Sequence, residues 1–191
     1  MQLKVMIKRL FSVGIGEYNL SSYPNKDLLL FILKQKTLSS HSAVEIGNSS
    51  FNTDNNILDN SQLKDLKLNI QSCIDDYCKN IGIKKGKISN SWFNVLYPNG
   101  KTKRHNHGLS IVSGAYYPIL EEDSCNLIFY RPNPLINSNF YFDQNTEFNI
   151  DYYSYPIKQN YLYIFPSLLE HGTETNKDKD RVVISFNTNY E

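Results

Sequence analysis

The 191-residue chain lacks the long apolar runs and the charge imbalance that would indicate a membrane protein or a nucleic-acid-binding protein. Its longest obvious apolar run, residues 28–33, is far shorter than the ~20 residues that a helix needs to span a bilayer. The net charge of +1 gives no electrostatic reason to expect attraction to nucleic acid or to an anionic lipid surface. We therefore expect neither a membrane location nor a nucleic-acid partner.

Cysteine is also scarce. The three cysteines, Cys73, Cys78 and Cys125, form no Cys-x-x-Cys motif, and an odd number favours free thiols in a reducing compartment. The basic start of the chain, MQLKVMIKRLFSVGIGEY, has an apolar run that Lys8 and Arg9 interrupt, and it predicts no signal peptide. Because the abundance of Asn, Lys, Ile and Tyr is typical of AT-rich coding DNA, we expect the cytoplasm of a bacterium or of a phage-infected host.

The pattern of apolar residues predicts a single α+β domain over residues 1–191. A chain of this size buries roughly 70% of its unfolded surface, which supports one well-filled core. Residues 23–82 carry helical signals, including the runs LLLFILKQK and SQLKDLKLNIQSCIDDYCKNIG. From Ile88 onward, short β-type segments separated by Pro, Gly, Asn and Asp predict an antiparallel sandwich or barrel. We expect residues 1–86 to support a jelly-roll core formed by residues 87–191.

The four histidines of the chain are an ordinary number for its length, but the spacing of two of them carries a chemical signal. His105 and His107 are two residues apart, so on one strand their side chains would share a face and could reach the same cation. His171, at the end of a strand-like run, is a candidate for a third ligand, and His41 is interpreted as a surface histidine. Because His-x-His is a short pattern that recurs by chance, a solvated strand remains an alternative.

A second signal follows ten residues after His171. Arg181 opens the strand-like run RVVISFN, and Ser185 lies on the same face of that strand. A guanidinium and a hydroxyl placed in this way could converge on one carboxylate. The spacing therefore predicts an anion-binding group near the histidines.

Taken together, these motifs resemble the iron(II)- and 2-oxoglutarate-dependent oxygenase superfamily. The similarity covers about half of the chain, in SWFNVLYPNGKTKRHNHGLSIVSGAYYPI and YLYIFPSLLEHGTETNKDKDRVVISFN. The matching positions are Trp92, Asn94, Gly100, His105, His107, Ser113, Gly114, Tyr116, Tyr117, Phe165, Pro166, Ser167, His171, Arg181, Ser185, Phe186 and Asn187. The resemblance implies a double-stranded β-helix with Fe(II) at one open end of the barrel.

The resemblance implies that His105 and His171 are iron ligands. Most of the superfamily has Asp or Glu at the position of His107, and we predict that His107 is nevertheless the third ligand. Glu170 would point away because neighbours on a strand face opposite sides, and residues 121–123 belong to a predicted hairpin turn. Three imidazoles also suit zinc, copper or nickel, so a tris-histidine zinc protein remains an alternative.

For the co-substrate, the resemblance implies that Arg181 binds the distal carboxylate of 2-oxoglutarate. The other residues predicted to bind 2-oxoglutarate are Ser185, Tyr117, Tyr97 and Asn94. Trp92 is interpreted as a core residue. The substrate is unknown, and candidate contacts to it are Tyr116, Arg131 and Asn187.

The implied reaction uses O2 to convert 2-oxoglutarate to succinate and carbon dioxide while a substrate is hydroxylated. By analogy to the superfamily's prolyl hydroxylases, the first candidate substrate is a peptidyl proline. The long polar and aromatic loop at residues 131–149 favours a lid or a binding loop, and we hypothesise that residues 140–155 cover the substrate. The alternatives are a cupin-type metalloprotein and a non-catalytic jelly-roll protein, neither of which needs Arg181 and Ser185 to face a metal.

Overall fold

The computed structural model describes residues 7–8, 12–22, 28, 31–32, 38–120, 124–132, 142–177 and 179–190. Within these ranges a helix α1 (Lys64–Ile81) follows two short 3-10 helices, Ile57–Asp59 and Ser61–Leu63. The strands are β1 (Gly16–Asn19), β2 (Val44–Ser49), β3 (Lys87–Thr102), β4 (Val112–Ile119), β5 (Leu127–Tyr130), β6 (Tyr152–Tyr155), β7 (Tyr161–Pro166), β8 (His171–Thr173) and β9 (Arg181–Asn189). Among the described helices, none combines the length and the apolar character needed to cross a bilayer.

The strands form two antiparallel sheets. The larger has six strands in the order β1-β7-β4-β9-β3-β2, and the smaller has three in the order β6-β5-β8. A cluster of buried side chains joins the sheets, with Ala115, Tyr117 and Val183 from the larger and Leu127 and Phe129 from the smaller. The α+β class is thereby confirmed.

Helix α1 covers the outer face of the six-stranded sheet. Its buried residues recur at three- and four-residue spacing, as the sequence predicts, and they are Leu66, Ile70, Ile74, Tyr77 and Cys78. They pack in one cluster with sheet residues such as Phe93 and Ile184. The helix ends at Gly82, whose φ of 75° is left-handed and whose N–H contacts the carbonyls of the last turn.

The first predicted helix can be judged at only three positions. Leu28, Phe31 and Ile32 are helical, and their side chains are buried in the same cluster as α1. The other residues of LLLFILKQK lie outside the described part of the chain.

The sequence did not predict β1, β2 or β8, which are three to six residues long. Strand β2 lies inside the stretch that was expected to be helical, and its register shifts at a bulge between Glu45 and Gly47. A Cβ at Gly47 would clash with the backbone carbonyl of Val95, so β2 approaches β3 closely at this point. The pairing with β3 holds this segment in place, and no local pattern carries that information.

Successive side chains along the central strands face alternately the core beneath α1 and the space between the two sheets. Val182, Ile184 and Phe186 of β9 face α1, whereas the residues between them face the smaller sheet. Trp92 of β3 and Ala115 of β4 are both paired with Ser185 of β9, so their side chains lie on the same face of the sheet as Ser185. The inner face of the larger sheet is therefore the wall on which a site can be built.

The contact between α1 and the sheet gives a first prediction. Replacing Ile70, which is fully buried, with alanine is expected to lower the free energy of unfolding by about 2–5 kcal/mol because it leaves a cavity. Leu68 on the same helix is 60% exposed, and its replacement with alanine is expected to change stability by less than about 0.5 kcal/mol. Urea denaturation of the two variants measures the difference, and equal losses would contradict the packing described here.

Candidate active site

Three histidine side chains converge at one end of the inner face. His105 and His171 form an isolated antiparallel bridge and exchange both backbone hydrogen bonds, at 3.0 and 2.9 Å. Their ring centroids are 4.4 Å apart, and the His107 ring lies 5.0 Å from His105 and 5.2 Å from His171. One ligand atom from each residue lies within 4.8 Å of the other two, so a single metal ion can be reached by all three.

Backbone carbonyls fix two of these rings. Nδ1 of His105 lies 2.7 Å from the carbonyl oxygen of Lys103, and Nδ1 of His171 lies 2.9 Å from that of Leu169. Because a carbonyl oxygen only accepts, each Nδ1 carries the proton and each Nε2 keeps its lone pair. This is the tautomer in which Nε2 can bind a metal, and the carbonyls hold the rings in orientation.

Burial keeps the three imidazoles neutral. It lowers the pKa of His105, and it lowers the pKa of His107 to about 4 and that of His171 to about 3, with a further contribution from the neighbouring imidazoles. Metal binding requires deprotonated ligands. At pH 7 the three lone pairs are therefore available.

No carboxylate joins the three histidines among the described residues. Glu170 instead forms a salt bridge with Arg104, whose Nε donates to Oε2 at 3.0 Å, and the guanidinium also lies 4.4 Å from the ring centroid of Tyr130. Residues 121–123 lie outside the described part of the chain. The third group next to His105 and His171 in the structure is thus the imidazole of His107.

A cavity of about 260 Å³ extends from the histidines between the two sheets. Its described wall contains no Asp or Glu. The predicted site residues that line it are His105, His107, His171, Arg181, Ser185, Tyr117 and Asn94. The cavity thus brings the three predicted metal ligands together with four of the five residues predicted to bind 2-oxoglutarate.

Arg181 is the most unusual residue of this wall. Its side chain is only 1% exposed, and Nη1 donates to the sulfur of Cys125 at 3.1 Å. The guanidinium lies 4.7 Å from the ring centroid of Tyr117, and Nε and Nη2 have no hydrogen-bond partner. Since buried charges are normally paired, this guanidinium is suited to an anionic ligand in the cavity.

Two predicted residues lie on the wrong face of their strands. Tyr97 packs towards the α1 cluster, and its hydroxyl accepts a hydrogen bond from Nδ2 of Asn48 at 2.9 Å. Tyr116 is fully buried in the same cluster, next to Tyr117 on the opposite face of β4. Side chains alternate between the two faces of a strand, so Tyr97 cannot share the face of Asn94, and Tyr116 cannot share the face of Tyr117. The alternation would therefore have excluded both tyrosines from the site.

Two proposed substrate contacts also lie outside the cavity wall. The side chain of Arg131 donates to the carbonyl oxygens of Ile150 and Glu147, at 2.7 and 3.3 Å, and so holds the segment before β6. The side-chain oxygen of Asn187 accepts from the hydroxyl of Ser113 at 2.7 Å in a buried network. Both side chains thus form hydrogen bonds within the protein.

The interpretation of His41 as a surface histidine is wrong. Its half-buried side chain lines the cavity, with its ring edge-on to Phe51 at 4.9 Å between centroids. Phe51 contacts Trp92 at 5.0 Å, and Trp92 lies 5.8 Å from His107. Trp92, predicted as core, is buried and also part of this wall. The segment around His41 carries no motif, so no signal in the sequence pointed to its place in the cavity wall.

A match to a protein family model shows the family to which the chain belongs. Residues 90–187, which include the three histidines and Arg181, match the family model described as "Putative 2OG-Fe(II) oxygenase". The chain belongs to this 2OG-Fe(II) oxygenase family. The oxygenase therefore uses Fe(II), 2-oxoglutarate and O2. A comparison with curated proteins gives no match.

Solved structures show the fold of the oxygenase. A prolyl-4-hydroxylase from Pseudomonas putida is similar over 94% of each chain, with a TM-score of 0.60 and 8% identity. A Trichoplax adhaerens prolyl hydroxylase, in complex with a hypoxia inducible factor peptide fragment, has a TM-score of 0.60 and 13% identity over 92% of this chain and 83% of that one. The epimerase SnoN from nogalamycin biosynthesis, in complex with Fe3+, alpha ketoglutarate and nogalamycin RO, has a TM-score of 0.62 and 9% identity over 93% and 79%. The predicted double-stranded β-helix is confirmed.

The residues of the cavity fit the cofactors of the family. Three neutral imidazoles, two of them with Nε2 free, can bind a ferrous ion. Arg181 offers two unpaired donors in the same cavity, as a dicarboxylate co-substrate requires. Family membership leaves the zinc, cupin and non-catalytic alternatives without support.

Proposed function

We propose that His105, His107 and His171 hold Fe(II), and that Arg181 binds the distal carboxylate of 2-oxoglutarate with Ser185 and Tyr117 beside it. In this proposal the oxygenase hydroxylates its substrate, with a peptidyl proline as the first candidate. The observation that carries the proposal is the buried, partly unpaired Arg181 guanidinium in the same cavity as three neutral histidines.

Charge balance supports this arrangement. The described cavity wall has one guanidinium and no carboxylate, so the protein itself does not neutralise a doubly charged metal ion. 2-Oxoglutarate brings two negative charges, one at each end, and can neutralise Arg181 and half of the charge on the ion. With His107 in place of a carboxylate, the loaded site keeps one more positive charge than a site with two histidines and an acid.

The roles of the residues follow from their contacts. Nδ1 of His105 and of His171 stays bound to a backbone carbonyl, so both Nε2 atoms keep one orientation. The ring of Tyr117 supports the guanidinium through a cation–π contact. Burial of this end of the cavity excludes water from the carboxylate-binding group. Bound Fe(II) supplies the oxidative decarboxylation of 2-oxoglutarate and the oxidation of the substrate.

The substrate side is the wall formed by His41, Phe51 and Trp92. Aromatic faces suit an apolar ring such as that of proline, and a histidine at the edge can hydrogen-bond a peptide group. The structural relatives include prolyl hydroxylases, one of which was solved with a peptide fragment. The three cysteines of the chain are free, which supports the proposal of a reducing, cytoplasmic location.

Anaerobic titration of the apo-protein tests the proposed function without a known substrate. Addition of Fe(II) and then 2-oxoglutarate is expected to produce a visible metal-to-ligand charge-transfer band with one equivalent of each. Admission of O2 is then expected to yield succinate. Tight binding of zinc, with no band and no succinate under any condition, would contradict the proposal.

Replacement of His41 tests the substrate wall. Ala43 N–H donates to Nδ1 of His41 at 3.2 Å, so the ring proton is on Nε2 and is available to an acceptor. His41→Phe keeps an aromatic ring and removes the donor. We expect KM for a prolyl peptide to rise about tenfold, the effect of one hydrogen bond. The Kd for 2-oxoglutarate is expected to stay the same, and an equal change in both constants would contradict the assignment.

A further inference from the structure

The contact between Arg181 and Cys125 joins the two sheets at the co-substrate end of the cavity. Arg181 is the first residue of β9 in the larger sheet, and Cys125 lies just before β5 in the smaller one. Both side chains are 1% exposed, and Nη1 of the arginine donates to the thiol sulfur at 3.1 Å. A buried thiol is thus the hydrogen-bond partner of the one cation in the described cavity wall.

The remaining donors of Arg181 lie on one edge of the guanidinium. Nε–H and the nearer N–H of Nη2 are parallel and adjacent in this planar group, and together they form a fork that matches the two oxygens of a carboxylate. The two atoms without a partner in the structure are Nε and Nη2. The third nitrogen, Nη1, is the one bound to Cys125. No hydrogen bond within the described structure uses either nitrogen of the side-on fork.

The choice of a thiol at this position has an electrostatic consequence. An Asp or Glu bonded to Nη1 would neutralise the guanidinium and compete with an incoming carboxylate. Sulfur is a weak and uncharged acceptor, so it can fix the direction of Nη1 without cancelling the charge. The ring of Tyr117, 4.7 Å from the guanidinium carbon, supports the group from one face. The two contacts together restrict the rotation of the group about its terminal bonds.

We propose that Cys125 is a positioning residue for the co-substrate. Its sulfur holds Nη1 so that the Nε/Nη2 edge of Arg181 faces the cavity and binds the distal carboxylate of 2-oxoglutarate side-on. The proposal rests on the proposed function, in which Arg181 binds that carboxylate. It adds a residue that precedes β5 and that none of the motifs of the chain includes.

The test compares two keto acids in anaerobic titrations of the Fe(II)-loaded protein. 2-Oxoglutarate has the distal carboxylate, whereas 2-oxobutyrate has the same keto acid end and no distal carboxylate. Cys125→Ala removes the acceptor, and we expect the Kd for 2-oxoglutarate to rise about tenfold. The Kd for 2-oxobutyrate is expected to stay the same. Cys125→Ser keeps an acceptor, and its Kd for 2-oxoglutarate is expected to remain within about threefold of that of the wild type.

The controls separate this proposal from the proposed function. If the wild type does not prefer 2-oxoglutarate to 2-oxobutyrate, the carboxylate-binding role of Arg181 is wrong. The positioning role alone is overturned if the wild type has that preference and Cys125→Ala retains all of it. It is also overturned if Cys125→Ala raises the Kd for 2-oxoglutarate and the Kd for 2-oxobutyrate by the same factor. Cys125→Val, which fills the space of the thiol without an acceptor, replaces Cys125→Ala if that variant does not fold and is expected to give the same loss of preference.

Discussion

Arg181→Met is expected to abolish binding of 2-oxoglutarate while leaving the apo-protein at least as stable as the wild type. The arginine is a buried cation whose Nε and Nη2 have no partner in the structure. Replacing a buried charge with an apolar side chain of similar length is often neutral or stabilising, because the cost of desolvating the charge disappears. The same change removes the group that a carboxylate would bind.

The expected loss of affinity for 2-oxoglutarate is at least about 100-fold, since removing one member of a buried, hydrogen-bonded charge pair costs several kcal/mol. Isothermal titration under anaerobic conditions measures the Kd, and thermal denaturation without ligand measures the stability. Arg181→Lys is the matched control, because it keeps the charge and loses the fork. It is expected to bind 2-oxoglutarate more weakly than the wild type and more tightly than Arg181→Met. A destabilised Arg181→Met protein that still binds 2-oxoglutarate would show that the arginine is purely structural.

The second large effect is expected at His107. His107→Ala removes one of the three imidazoles that lie within reach of a single ion, and we expect the affinity for Fe(II) to fall at least about 100-fold. Loss of residues that only support metal ligands already costs 10–100-fold in other proteins, so loss of a ligand itself should exceed that range. Fe(II) titration with a competing chelator measures the change.

His107→Asp is the informative companion variant. It restores the two-histidine, one-carboxylate set that ferrous oxygenases commonly use, so Fe(II) binding is expected to survive. Because the carboxylate cancels one positive charge in the cavity, the affinity for dianionic 2-oxoglutarate is expected to fall relative to the wild type. Wild-type metal affinity in His107→Ala would contradict the assignment of this residue as a ligand.

The sequence predicted that the three histidines lie together, because the spacing of residues along a strand determines which side chains share a face. His105 and His107 are two residues apart, and His171 reaches them through a single backbone bridge. Arg181 and Ser185 share a face of β9, as strand alternation requires, and both line the cavity. These predictions depended on local periodicity and on the family motifs.

The residues that sequence analysis missed reach the site through tertiary contacts. His41 enters the cavity wall from the segment before β2, whose position depends on pairing with β3 across a bulge. Cys125 contacts Arg181 only because the two sheets meet at that end of the cavity. Neither residue has a neighbouring motif or a periodic position that fixes its partner. Tyr97 and Tyr116, by contrast, could have been excluded by counting strand parity.

The most direct test of the central claim is a crystal structure of the anaerobic complex with Fe(II) and 2-oxoglutarate, with anomalous diffraction measured at the iron edge. The prediction is one iron peak bonded to Nε2 of His105 and of His171 and to a ring nitrogen of His107, at about 2.1 Å, as is typical of metal–imidazole bonds. The distal carboxylate of 2-oxoglutarate should contact Nε and Nη2 of Arg181. An iron ion bound without His107, or a co-substrate that leaves Arg181 unpaired, would contradict the account.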